Sequence, residues 1–508
     1  MITTNRRQFL GGVGGTLGAT AVGLAAAQRL GFAEARAWIE PGRLRFGALD
    51  PLVDLLQATP ADELLPRLVE RLRAGTTLDE LVAAGALANA RALGGTDYNG
   101  YHALMALVPS LELARRMPGP LAPLPVLKVL HRSTRFIHDA GHAQADELLP
   151  LADDEANTGT GDLVASLRTR DLARAEQALA REGRASPARA HEELQTVVRD
   201  DADVHRVVLA WRAFDLARLT GPEHAVTLLR QSVHYCIEQD GQRAARGQAP
   251  KEIGALVAEL IEAHGLAGHE RGTRAADEAW IEALAGTVHA GESAAAARAV
   301  ARALAEGYDP EDVGAALSLA ANRLLLNDPG RSKAEAGKPV GSVHGASVGV
   351  HASDAANAWR NLARAGGARN AFASLIAGAY HTAGQARWVG PEAHDVGAEA
   401  CTLADPARVL AEIEARIRAK DQAGACQAAR RYGALGGPAV ELFALLAGFA
   451  VSEDGALHAE KYFRTAEEEH ARARPAHRAT YLVALTRVMA SQQGFAAPGV
   501  EEARALLG

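Results

Sequence analysis

Apolar positions fall along this chain in helical runs. Ala, Leu and Arg dominate them and Gly or Pro separates one run from the next, while no stretch sustains a two-residue alternation of Val, Ile, Thr and Tyr. That pattern predicts an all-α protein. Three runs share more than their period. Tyr101-His102 leads a run ending Leu113-Ala114-Arg115, Val204-His205 one ending Leu216-Ala217-Arg218, and Val350-His351 one ending Leu362-Ala363-Arg364. The arginine follows the histidine by 13 residues each time, which is roughly 20 Å of helix. It then lies about 220° around the helix from the histidine, off its face, and reads as a C-terminal cation.

Each run is followed by a turn: Met117-Pro118-Gly119-Pro120, Thr220-Gly221-Pro222-Glu223 and Ala365-Gly366-Gly367. A second apolar run then carries another histidine, His138, His234 or His381. The spacing predicts αα-hairpins that return the second histidine to the level of the first. Helices are also predicted upstream, from Leu78 to Arg91 and from Asp309 to Arg323, preceded by runs ending at Gly75 and Gly307. The middle copy offers a run ending at Gly183, then Ser186-Pro187 and a helix toward Val198. A fourth, decayed copy leads through Gly433 and Gly436-Gly437 to His458, and its return run, Tyr481 to Met489, has no histidine. The leading histidines are spaced 103, 146 and 107 residues apart, the wide gap matching an insertion around His264 to Trp280. The expected architecture is a multi-helix bundle or array of three or four divergent helical-hairpin repeats of roughly 100 residues. Its units run 36–150, 151–290, 291–400 and 401–508, packed as one domain or two pseudo-symmetric halves. The stretch Asn327 to Ser342, with Pro329-Gly330, Gly337 and Gly341, is a loop into the third unit.

Composition sets the class. With 48% hydrophobic residues over 508 positions the chain can bury a large core. Residues 1–35 read as a twin-arginine signal peptide: Arg6-Arg7-Gln8-Phe9-Leu10, a small-residue apolar stretch to Ala27, then cleavage sites at Ala25-Ala26-Ala27 or Ala33-Glu34-Ala35. The expected partner is the twin-arginine export machinery, and the expected location periplasmic or secreted, with no stable membrane anchor after cleavage. Losing residues 1–27 removes Arg6 and Arg7 and no acid, so net charge moves from −7 to −9; no basic footprint for nucleic acid remains. Cys236, Cys401 and Cys426 form no CxxC or CxxCH, which argues against a thiolate cluster or covalent haem.

The candidate chemistry is imidazole. His102, His138, His205, His234, His351 and His381 are the candidate metal ligands or acid–base groups, with His458 an outside candidate. Imidazole suits iron, copper and zinc, and helical cores build metal sites from several helices. His131, His138 and His142 share one helix face. Asp139, Glu238, Asp240, Asp354 and Glu460 are candidate orienting carboxylates. No HExxH or paired ExxH occurs. Non-covalent haem held by two histidines and metal-free proton transfer by a buried histidine pair stay open.

Two stretches carry a resemblance. Val204-His205 through Ala213, then Gly221-Pro222-Glu223-His224-Ala225-Val226 through Ser232, with Val350-His351-Ala352 and Asn357-Ala358, resemble a group of large secreted bacterial all-helical multi-histidine proteins. Helices opening on His in a repeated hairpin also resemble the questin-oxidase-like proteins, helical oxidative enzymes of Baeyer–Villiger-type ring opening. That second resemblance implies oxidation, although no nucleotide-binding glycine pattern is present to imply reduced nicotinamide. The expectation is an exported, metal-dependent oxidoreductase acting on a small organic substrate. The alternative is a non-catalytic helical-repeat scaffold in which the histidines only pack.

Overall fold

In the computed structural model, the described residues are 42–151, 162–334, 340–343, 347–390, 400–452, 457–494 and 496–508. Residues 1–35, expected to be a signal peptide, lie outside them. Among the described residues no strand forms; an isolated backbone bridge joins Arg274 and Tyr308. The all-α expectation therefore holds.

The first part of the chain forms α1 (Asp50–Ala58), α2 (Ala61–Arg73), α3 (Leu78–Leu93), α4 (Tyr98–Ala114) and α5 (Leu124–Asp139). Next come α6 (Leu163–Thr169), α7 (Leu172–Ala185), α8 (Pro187–Val198), α9 (Val204–Thr220) and α10 (Ala225–Ala245). Then follow α11 (Ile253–Ala263), α12 (Glu278–His289), α13 (Ser293–Ala305), α14 (Pro310–Asn327), α15 (Val348–Ala365) and α16 (Ala368–Gln385). The last are α17 (Pro406–Arg418), α18 (Gln422–Ala434), α19 (Ala439–Ser452), α20 (His458–Arg472), α21 (Pro475–Gln492) and α22 (Val500–Leu507). The three 13-residue His-to-Arg runs are helical, in α4, α9 and α15. Gly183 does not end its helix as expected; it is buried inside α7, which runs on to Ala185.

Four helices make the centre. α4 packs on α9, α9 on α15, α15 on α20, and α20 back on α4, a closed ring. Each also packs on the helix that follows it, α5, α10, α16 or α21, which returns the chain for the next parallel member. The ring helices run in one direction: His351 meets His458 and Asn361 meets Glu468, pairs both 107 residues apart. Sequence explains which helices go inside. α4 reads Gly100-Tyr101-His102-Ala103-Leu104-Met105-Ala106-Leu107-Val108 without a polar face, and every one of these residues is buried. A helix that is apolar all round must be central. Asp97, Asp203 and Ser347 cap α4, α9 and α15, accepting from the Gly100, Arg206 and Val350 amides. α20 has no such cap; Leu457 enters it with φ 62°. One contiguous core runs from Phe46 to Ala503.

Candidate four-histidine site

Because the ring helices start at one end, the histidines in their opening turns meet there. His102 is fifth in α4, His205 second in α9, His351 fourth in α15 and His458 first in α20. Their rings touch in the order of the helices. Centroids lie 4.8 Å apart for His102–His205, 5.5 Å for His205–His351, 5.1 Å for His351–His458 and 5.2 Å for His458–His102. The Nε2 atoms of His351 and His458 are 3.1 Å apart.

The ring nitrogens are not equivalent. His102 Nδ1 lies 2.7 Å from the Tyr98 carbonyl. A carbonyl only accepts, so Nδ1 carries the proton and Nε2 a lone pair. His205 Nδ1 faces Asp203 at 3.9 Å. The Nε2 atoms of both His102 and His205 are buried with no hydrogen-bond partner. Burial pushes His102 well below the ordinary imidazole range, helped by the charge of Lys461 and by His205. It takes His351 down to about 3, again with His205 contributing. His205 is also lowered by burial, with Asp203 opposing. His102, His205 and His351 are therefore neutral near pH 7. Four helix N-termini contribute roughly half a positive charge each, and the two carboxylate caps, Asp97 and Asp203, offset that.

Asp203 was missed among the expected carboxylates, yet it is the one at the site. It accepts from the Arg206 amide at 2.8 Å and the Tyr235 hydroxyl at 2.9 Å. Its signal in the sequence was its place just before a helix opening Val204-His205, an N-cap position. The expected carboxylates went elsewhere: Asp240 to Arg206, Glu460 to Lys128, Glu238 to Gln242, Asp139 to Arg135. Asp354 takes the Thr465 hydroxyl and is pushed up to about 6 by burial. Tyrosines were missed too. Tyr98 stands over His102 at 4.4 Å and is 57% exposed, so it covers His102 from the solvent side. Tyr101 lies 5.5 Å from His205 and 5.1 Å from Tyr235. Lys461, 3% exposed and one turn beyond His458, is pushed down to about 8 by burial against the pull of Asp354 and Glu460.

The companion histidines do not join the ring. His381 lies behind it: its Nδ1 accepts from Trp359 Nε1 at 3.2 Å, and burial brings it to about 4. His234 is committed to Glu176 at 2.7 Å, a carboxylate shared with Arg230. His138 is half-buried, with Nε2 unpartnered and no described ring contact to the four. Among the described residues, no group of three or more His, Cys, Asp or Glu side chains stands in a geometry that could hold a metal ion. The His351–His458 pair alone has donor atoms at a spacing two ligands of one ion would show. No described helix is long and apolar enough to cross a membrane. No protein-family model, curated protein or solved structure matches the chain.

Proposed function

We propose that His102, His205, His351 and His458 hold one transition-metal ion, iron, copper or zinc, as the site of a metal-dependent oxidoreductase acting on a small organic substrate, the redox chemistry falling to iron or copper. One observation carries this reading: four central helices drawn from across the chain each deliver one imidazole to the same point. Packing alone does not call for that. A buried nitrogen without a partner costs about 1–3 kcal/mol, and His102 and His205 each have one. A bound ion would remove that cost. The 3.1 Å between His351 and His458 Nε2 corresponds to two ligands at about 2.1 Å with an angle of roughly 95°. His102 and His205 must turn Nε2 onto the same point to complete the set. Their outer contacts, the Tyr98 carbonyl and Asp203, are the kind that orient ligating imidazoles. An ion held only by neutral imidazoles keeps its full charge and supplies Lewis-acid or redox chemistry. Around it, Tyr98 excludes water and Lys461 offers a buried positive charge to an acidic substrate.

The export reading completes the proposal. The twin-arginine pattern would send this protein out already folded, a route that suits a metal inserted before export and also serves cofactor-free cargo. The four hairpins are read as divergent copies that each kept the leading histidine.

A metal-free proton relay through His351 and His458 is the second reading, favoured by the lack of a three-donor group in coordinating geometry. Elemental analysis separates the two. Mature protein purified without an affinity tag is compared with a His205→Ala, His351→Ala double variant. The expected result is about one equivalent of metal in the parent, absent from the variant while helical circular dichroism is kept. A parent that contains no metal and takes up none of the three ions on dialysis would sink the metal reading and leave the relay.

A further inference from the structure

A second site lies at the other end of the central ring. A cavity of about 360 Å³ opens between the later turns of α9, α15 and α20, about 20 Å along the helices from the histidines. Arg218, Arg364, Arg464 and Arg472 line it, with Trp211 and Glu468. We infer that this cavity binds a small, multiply charged oxyanion, a phosphate or a dicarboxylate, through these guanidiniums and the Trp211 indole.

The wall is almost entirely donors. Trp211 is 9% exposed, and its Nε1 is buried without a partner, as is Arg472 Nη1. Glu468, the acceptor there, is already taken: it receives Asn357 and Asn361 at 3.0 Å and Arg464 at 2.7 Å. Asp215 lies beneath, fully buried, and serves Arg464 at 2.7 Å, Arg212 at 3.6 Å and also Arg218. Arg364 reaches a third carboxylate, Glu311, at 3.6 Å. The wall itself thus carries four guanidiniums and one carboxylate, Glu468, which Arg472 also reaches at 3.7 Å. Arg212, beneath the cavity, is pushed down to about 9 by burial first and the neighbouring Arg464 second.

Helix C-termini attract cations, and that accounts for Arg218, Arg364 and Arg472, each in a last turn. It does not account for an indole N–H aimed at no acceptor, or for the unpartnered Arg472 Nη1 beside it. An oxyanion satisfies all of them, because guanidinium forks match phosphate and carboxylate oxygens.

Trp211 makes the test direct. Inorganic phosphate and succinate are titrated separately into the purified full-length mature protein at constant ionic strength, read by calorimetry and tryptophan fluorescence. At least one should bind saturably and change the fluorescence; which one does assigns the ligand to phosphates or to carboxylates. The Arg218→Gln, Arg364→Gln double variant changes only half-exposed rim residues, so it should fold, and its affinity should fall about tenfold or more. Trp211→Phe should keep the heat signal and lose the fluorescence change. No saturable heat from either anion, or equal affinity in the rim variant, overturns the inference. The elemental analysis of the histidine site is unaffected by either result.

Discussion

His351 sits where an imidazole cannot easily take a proton, and that makes it a pH lever. Its folded value is about 3 against an ordinary 6.5, with burial the first cause. Between those values the unfolded chain binds a proton the folded chain refuses, so stability is complete above about pH 6.5 and falls as pH drops toward 3. At pH 5 this one residue should cost about 2 kcal/mol, with His102, His205 and His381 pulling the same way. Urea midpoints of metal-stripped protein between pH 7.5 and 4.5 should therefore fall steadily; a flat series would contradict the buried neutral cluster. A second residue-scale test concerns Lys128 and Glu460, an ion pair at 2.6 Å with neither side chain exposed. Lys128→Met strands the carboxylate and should cost about 3–5 kcal/mol, whereas Lys128→Met with Glu460→Leu should recover most of it. Equal losses in the single and double variants would show that shape, not charge, holds that position.

At the scale of elements, the histidine end depends on how closely α15 approaches α14. Gly349, two residues before His351, has no room for a side chain: a Cβ there would lie 2.3 Å from Leu325 Cα, a backbone atom that cannot swing away. Gly349→Ala should destabilise by about 2 kcal/mol or more. Gly286 in α12 is its control. Nothing lies within 4 Å of a Cβ built there, and its replacement by Ala should stabilise by about 0.5–1 kcal/mol. Thermal melts of the two variants should move in opposite directions. Asp203 tests the opening of α9. Asp203→Ser keeps an N-cap but removes the carboxylate beside His205 and the acceptor of Tyr235, so helicity should survive while metal content falls. Asp203→Ala should also lose about 1 kcal/mol of cap.

Across the whole molecule, the central ring ties distant parts of the chain into one structure. α4 and α20 start some 360 residues apart yet pack directly, and one core includes residues from both. Unfolding should follow a single cooperative transition, with far-ultraviolet dichroism and tryptophan fluorescence coinciding. Separate transitions would divide the molecule into halves. The ring also aligns four helix dipoles, which places neutral imidazoles at the positive end and arginines at the negative end.

Much of this was legible in the residues. Helical period, the absence of alternation and Gly–Pro punctuation determined an all-α chain, because those are local constraints on backbone and burial. The repeated His-to-Arg spacing pointed to His102, His205 and His351, and the spacing of 107 to His458 marked a fourth. The expectation that each return helix brings its own histidine to the site came from helix length alone, and length fixes level, not facing. Tertiary packing turned His234 to Glu176 and His381 to Trp359. It also closed the four leading helices into a parallel ring, which no single hairpin encodes. Asp203, Tyr98 and Lys461 acquired their places at the cluster only then, because which polar groups share a buried point depends on how helices far apart in the chain are oriented.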